Sequence, residues 1–102
     1  MKIKNGANIQ GIDIKMRPVL IAAEDVWKDH GQELVVTCGM DGEHSAGSLH
    51  YYGLAVDLRT HYFILEKERH EVAAELRVRL SQDYDVIVHD SHIHVEYDPG
   101  KP

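Results

Sequence analysis

Histidine and aspartate side chains gather in two short segments of the sequence, residues 42–60 and residues 89–99. The first segment, GEHSAGSLHYYGLAVDLRT, contains His44, His50 and Asp57, and the second begins with HDSHIHVEY. Five of the eight histidines in the chain lie in these two segments. Because imidazole nitrogens and carboxylate oxygens are common zinc ligands, this clustering indicates a metal site.

The alternation of polar and apolar residues predicts how these side chains are oriented. In HIHVEY, the apolar residues belong in the core, so His92 and His94 face the opposite side of the strand. In LAVDLR, Asp57 likewise lies on the face that points away from the core. If the two strands are neighbours, Asp57, His92 and His94 share one surface, and His50 can fold onto it across a glycine-containing turn.

Two imidazoles and one carboxylate form a common zinc-binding set that leaves a fourth position for water, as in catalytic sites. Such a site favours hydroxide and brings the pKa of the bound water toward about 7. An alternative stays open, because an exposed histidine is usually not a ligand and a His-x-His pair on a strand also arises by chance. Nucleophilic catalysis is less favoured, since no Gly-x-Ser-x-Gly turn is present.

The elements that must position these residues are two helices and several short strands. The pattern predicts an α+β fold, a small antiparallel sheet with two helices packed on one face, as a single domain over residues 1–102. Cys38 falls in an apolar strand and is expected to be a buried, inert thiol. The predicted helices cover residues 16–30 and 66–80, and the main predicted strands cover residues 33–39, 54–59, 84–90 and 92–98.

Composition excludes several classes of protein. The 102 residues include 17 acidic and 11 basic side chains, for a net charge of −6, which argues against a nucleic-acid binder. The single cysteine excludes an internal disulfide and a thiolate zinc cage. No apolar run approaches the ~20 residues of a membrane helix, and the first residues contain no apolar signal-peptide region. We therefore expect synthesis in a cytoplasm and no membrane insertion.

One motif resembles that of a known superfamily. SLHYYGLAVD has the form Ser-x-His-x-x-Gly-x-Ala-x-Asp and is followed by His-x-His. This resembles the zinc D-alanyl-D-alanine peptidase superfamily, which includes bacterial carboxypeptidases, murein endopeptidases, phage endolysins and the amino-terminal signalling domain of Hedgehog. The resemblance covers residues 33–98, and DGEHSAGSLHYYGLAVD is especially similar to the Hedgehog loop. It implies a Hedgehog/D,D-peptidase-like fold and a Zn²⁺ cofactor.

The resemblance also implies roles for individual residues. It implies zinc ligands at His50, Asp57 and His94. It places His92 beside the metal, able to hydrogen-bond the metal water or the substrate oxyanion, and His44 matches a Hedgehog-type histidine near the metal.

The general base differs among members, and His89 occupies the position of the murein-endopeptidase histidine, with Asp90 as the second candidate. One departure concerns substrate binding: carboxypeptidase members tend to have SGYR where this chain has TCGMD, so Asp41 replaces the arginine. Arg59 lies on the Asp57 face and is a candidate to replace that arginine, with a plain surface role as the alternative. Glu96, on the same face, is a candidate carboxylate partner for a histidine.

The expected function is a zinc peptidase that hydrolyses peptide bonds of bacterial peptidoglycan, with an endopeptidase favoured over a carboxypeptidase. Zinc-bound water would act with a histidine general base. The alternative is a Hedgehog-like, zinc-stabilised binding module without turnover, and a third interpretation is a plain α+β domain with incidental histidines. We expect a monomer that binds peptidoglycan peptides and acts at the cell wall or periplasm, as a phage lysis or virion-associated enzyme.

Overall fold

A computed structural model of the chain describes residues 1–39 and 53–99. The described residues form five strands, two α-helices and one turn of 3-10 helix at Ile14–Met16. The helices are α1, Arg17–Asp29, and α2, Glu66–Arg79. The strands are β1, Lys2–Ile3; β2, Val35–Cys38; β3, Ala55–Arg59; β4, Tyr84–Val88; and β5, His92–Tyr97.

The five strands form one mixed sheet in the order β1-β2-β3-β5-β4. The pairs β2–β3, β3–β5 and β4–β5 are antiparallel, as predicted. The prediction of a wholly antiparallel sheet is wrong at one edge, where β1 runs parallel to β2. The chain passes through α1 between these two strands, and such a crossover returns the chain in the same direction.

Helix α1 agrees with the sequence pattern. Pro18 lies in the first turn, where its missing N–H costs no hydrogen bond. The buried face contains the residues with helical spacing, and Gly31 follows the helix with a φ of 76°, a conformation that glycine adopts without strain. The buried residues of α1 are Val19, Ala22, Ala23, Val26 and Trp27.

Helix α2 carries acidic residues in its first turn and basic residues in its last turn, which suits the helix dipole. Its buried residues are Val72, Ala73 and Leu76, whereas Leu80, also predicted for the apolar stripe, lies just beyond the helix and is half-buried. Neither helix in the described part of the chain is long and apolar enough to cross a membrane.

Both helices cover the same face of the sheet, as predicted, because their buried residues belong to one cluster with the inward side chains of the strands. Val56 and Leu58 of β3 lie opposite Val95 and Ile93 of β5 in that cluster. Each such fully buried aliphatic side chain contributes about 1.5–3 kcal/mol through removal of apolar surface from water. The opposite face of the sheet, hereafter the open face, is left for polar side chains.

Candidate functional site

The polar residues of β3 and β5 meet on the open face. In the antiparallel register of these strands, Asp57 lies opposite His94, and Arg59 lies opposite His92. Side chains at directly opposed positions of neighbouring strands point to the same side and contact one another. The prediction that Asp57, His92 and His94 share one surface, away from the core, is therefore confirmed.

His94 lies between two carboxylates. Its Nδ1 is 2.8 Å from Oδ1 of Asp57, and its Nε2 is 2.8 Å from Oε1 of Glu96. The three side chains are 17–20% exposed, so water competes only partly for these contacts. The hydrogen bond to Asp57 raises the pKa of His94 above its ordinary value, with Glu96 adding to the effect and burial opposing it. The contact with Glu96 confirms that this carboxylate partners a histidine.

Two further imidazoles lie next to this group. Nε2 of His92 is 3.8 Å from Oδ2 of Asp57, so His92 is a neighbour of the same carboxylate. The ring of His89 stacks on the ring of His92 with centroids 4.6 Å apart, and it meets the ring of His94 edge-on at 6.5 Å. The tight hairpin produces this proximity, since the N–H of His89 donates to the carbonyl of His92 at 2.9 Å.

Asp90 adjoins His89 but lines a different cavity from Asp57 and His92. It is exposed in the turn between β4 and β5 and borders a separate cavity of about 140 Å³ beside α2, together with His89, Glu66 and Arg69. The structure thus gathers Asp57, His89, His92 and His94 but gives Asp90 another setting. The predicted ligand His50, the predicted neighbour His44 and Asp41 lie outside the described residues.

The sequence pattern missed a cavity of about 330 Å³ that adjoins the Asp57–His92 side of this group. Lys4, Cys38 and His61 line it together with Arg59. Cys38 is half-buried here rather than buried, which corrects the prediction of a buried thiol. The β2–β3 register shifts between Val36 and Cys38, so Cys38 comes to lie opposite Asp57 instead of continuing the core-facing alternation.

A carboxylate trio adjoins the other side of His94. Asp85, Glu96 and Asp98 offer oxygens within 4.8 Å of one another. Glu96 belongs both to this trio and to the hydrogen bond with His94.

His30, for which the sequence predicted no role, also lies between two carboxylates, at the contact between the two helices. Its Nδ1 is 3.0 Å from Oε2 of Glu68, and its Nε2 is 2.6 Å from Oε2 of Glu75. Hydrogen bonding to Glu68, reinforced by Glu75 and opposed by burial, raises the pKa of His30. This imidazole joins the end of α1 to α2 and lies away from the open face.

The donor chemistry on the open face fits zinc. Carboxylate oxygens and imidazole nitrogens are both groups that bind zinc in proteins, and Oδ1 of Asp57 and Nδ1 of His94 lie 2.8 Å apart. A histidine that binds zinc usually donates its other N–H to a carboxylate, which is the relation of His94 to Glu96.

Comparisons with known proteins give no family for this chain. No family model matches it, and none of the curated proteins matches it. The similarity to the zinc D-alanyl-D-alanine peptidases therefore stays a prediction based on the motif and on the side chains that the fold brings together.

Proposed function

We propose that the protein is a zinc-dependent peptidase that hydrolyses peptide bonds of bacterial peptidoglycan, more as an endopeptidase than as a carboxypeptidase. The observation that supports it most is the contact series Asp57–His94–Glu96 with two further imidazoles beside it on the open face. We further propose that the α+β fold is of the Hedgehog/D,D-peptidase-like type.

Asp57 and His94 would hold the metal, with His50 as the third ligand that the resemblance implies. Bound zinc supplies Lewis acidity toward a carbonyl oxygen and toward water. Glu96 fixes the His94 ring by accepting its Nε2 proton, so that Nδ1 is presented on the Asp57 side.

The other two histidines would handle protons and charge. His89 would accept a proton from the attacking water and pass it to the leaving amine, because an imidazole has one nitrogen that can accept a proton and one that can donate. His92 would donate an N–H to the oxyanion of the tetrahedral intermediate. Stacking against His92 holds the two rings in a fixed relation, which general acid–base catalysis requires.

The test measures zinc content and cleavage in the same samples. Purified protein is loaded with zinc, its metal content is measured by mass spectrometry, and a defined muropeptide mixture is digested and analysed by mass. We expect Asp57→Ala and His94→Ala to lose both bound zinc and cleavage. His89→Ala should retain zinc and lose about 10²–10⁴-fold in rate, the usual contribution of a general base.

His70→Ala is the matched control, because His70 is an exposed helix residue paired with Glu66. It should leave zinc content and rate unchanged. Stoichiometric zinc in both the Asp57→Ala and the His94→Ala protein would contradict the metal assignment. Zinc bound by the wild type without any muropeptide cleavage would contradict the enzyme and favour the binding module.

A further inference from the structure

The two edges of the sheet differ in how they are protected from pairing with another chain. The strand order leaves β1 at one edge and β4 at the other. β1 is very short, and the exposed Lys2 and Lys4 lie in it and next to it, which is a common protection of an edge strand. β4 is longer, Tyr84–Val88, and contains neither lysine nor proline. The β4 edge is therefore the one that can accept a further strand.

The backbone of β4 presents hydrogen-bonding groups along this edge. The N–H of His89 donates to the carbonyl of His92 at 2.9 Å, so His89 and every second residue before it direct their backbone groups toward β5. Val86 and Val88 therefore direct theirs outward, where no strand of the described residues pairs with them. The exposed Arg77 side chain donates to the Val86 carbonyl at 2.7 Å. A carbonyl oxygen has two lone pairs, so it can accept a second N–H as well.

The side chains of β4 on the open face are complementary to themselves. Ile87 is 43% exposed, Asp85 precedes it by two residues and His89 follows it by two, so all three lie on this face. When two copies of β4 run antiparallel with Ile87 opposite Ile87, Asp85 of each copy lies opposite His89 of the other. In the same register Val86 lies opposite Val88, so the outward backbone groups of the two copies can bond to each other.

Charge favours this register over the alternatives. Asp85, Glu96 and Asp98 offer oxygens within 4.8 Å of one another, so the surface around Asp85 is negative and attracts an N–H donor. The exposed His89 of the other copy supplies that donor, because a neutral imidazole carries one N–H and a protonated imidazole carries two. A slip of two residues would instead place Asp85 opposite Ile87 or opposite the β4–β5 turn and lose the match.

We propose that the β4 edge binds a second copy of this chain, with the two β4 strands antiparallel about a two-fold axis at Ile87. The two sheets then continue as one, and the contact closes on itself, so assembly stops at a dimer. One short strand pair is a small interface, so we expect a weak, concentration-dependent dimer in place of the monomer expected from the sequence. This interface does not depend on the peptidase activity.

Sedimentation velocity of the full chain over a wide concentration series measures the dissociation constant of the dimer. Ile87→Lys places two cations opposite each other on the axis and should raise that constant at least about 10-fold. Ile21→Lys is the matched control, because Ile21 is an exposed residue of α1, and it should leave the constant unchanged. Thermal unfolding checks that each variant is folded.

An exchange of the two polar residues tests the register. Asp85→His and His89→Asp should each weaken the dimer, because each places two groups of the same kind opposite each other. The double variant Asp85→His/His89→Asp restores the opposite pairing and should recover most of the wild-type affinity.

Disulfide trapping detects even a weak dimer. In a Cys38→Ser background, Ile87→Cys places two thiols in a directly opposed pair without backbone hydrogen bonds, where the Cα atoms are about 4.5 Å apart and a disulfide can form. Mild oxidation should therefore yield a covalent dimer of Ile87→Cys faster than of Asp85→Cys or Ile21→Cys, which lack an opposed thiol.

A wild type that stays monomeric throughout the series would overturn the proposal, even if another protein occupied the β4 edge. A dimer that persists in Ile87→Lys forms through a different surface and would also overturn it. The same holds if the exchange of Asp85 and His89 fails to restore affinity, if the three cysteine variants cross-link at equal rates, or if assembly continues beyond a dimer.

Discussion

At the scale of single residues, Asp57 and Glu96 each contact one nitrogen of His94, and in the proposed metal site Glu96 would keep Nε2 while the metal takes Nδ1. A carboxylate in the position of Glu96 accepts the Nε2 proton at 2.8 Å and so directs Nδ1 toward Asp57. Without that acceptor the ring would be free to rotate or to take the other tautomer. The contact with Glu96 would therefore fix the orientation of the His94 ring, the proposed zinc ligand.

Glu96→Gln tests this role. The amide accepts the N–H more weakly than the carboxylate, so zinc affinity should fall about 10–100-fold, the usual cost of losing such a partner. The measurement is a competition titration against a chromophoric chelator. Asp98→Asn is the matched control, because it removes a charge beside Glu96 and leaves the hydrogen bond to His94 intact. Equal losses in both variants would show that general negative charge, rather than the hydrogen bond, sets the affinity.

At the scale of elements, His30 acts as a bridge between the two helices. It follows α1 directly, is 15% exposed, and contacts Glu68 and Glu75 of α2 through its two nitrogens. Both nitrogens can donate only when the imidazole is protonated. The packing of α1 against α2 should therefore depend on pH.

His30→Gln should reveal that dependence. Because the folded pKa of His30 is raised, its contribution is fully present below the unfolded value of about 6.5 and is lost as the pH rises through the folded value. The variant should lose about 1 kcal/mol of unfolding free energy at pH 5.5 and much less at pH 9. Urea unfolding at both pH values provides the measurement.

The exposed His70 again offers the control, and His70→Gln should change little at either pH. An identical loss for His30→Gln at pH 5.5 and pH 9 would contradict the bridge. Such a result would mean that the ring contributes through packing, for example against Phe63, whose ring it meets at 5.8 Å.

The sequence predicted those elements whose pattern is local. Strand β5 was predictable because its alternation of histidine with Ile93 and Val95 lies within a few residues, and α1 was predictable from its spacing and from Gly31. The parallel pairing of β1 with β2 was not predictable, since a two-residue strand carries no periodicity and its pairing depends on the path of the chain through α1.

The same limit applies to the candidate site. The shared face of Asp57 and His94 followed from strand alternation, whereas the contribution of Lys4 to the cavity required the position of β1. The environment of Cys38 depended on a register shift that its own strand pattern does not show. The link from His30 to Glu68 and Glu75 joins residues 38 and 45 positions apart, which no local pattern predicts.

At the scale of the whole molecule, the two faces of the sheet carry different kinds of side chain. The face toward the helices holds the apolar core, and the open face holds the histidines and carboxylates. Zinc bound on the open face would connect β3 with β5 and stabilise the folded state by mass action, since the unfolded chain does not keep these residues together.

Removal of zinc should therefore lower the thermal midpoint. With free zinc at 100 times its dissociation constant, binding contributes about 2.7 kcal/mol, which corresponds to roughly 10–20 °C for a domain of this size. Calorimetry with and without EDTA, followed by zinc readdition, measures the shift. Asp57→Ala should unfold at the same temperature under both conditions. An EDTA-sensitive midpoint in that variant would place the stabilising metal elsewhere.

The two-sided character of β5 also guards against mispairing during folding. A one-residue slip of β5 along β3 would turn His92, His94 and Glu96 toward the helices and expose Ile93 and Val95 to water. Burying those polar groups without partners would cost several kcal/mol, in addition to the lost apolar burial. The polar side chains of the proposed site thus also favour the correct register of β5 against β3.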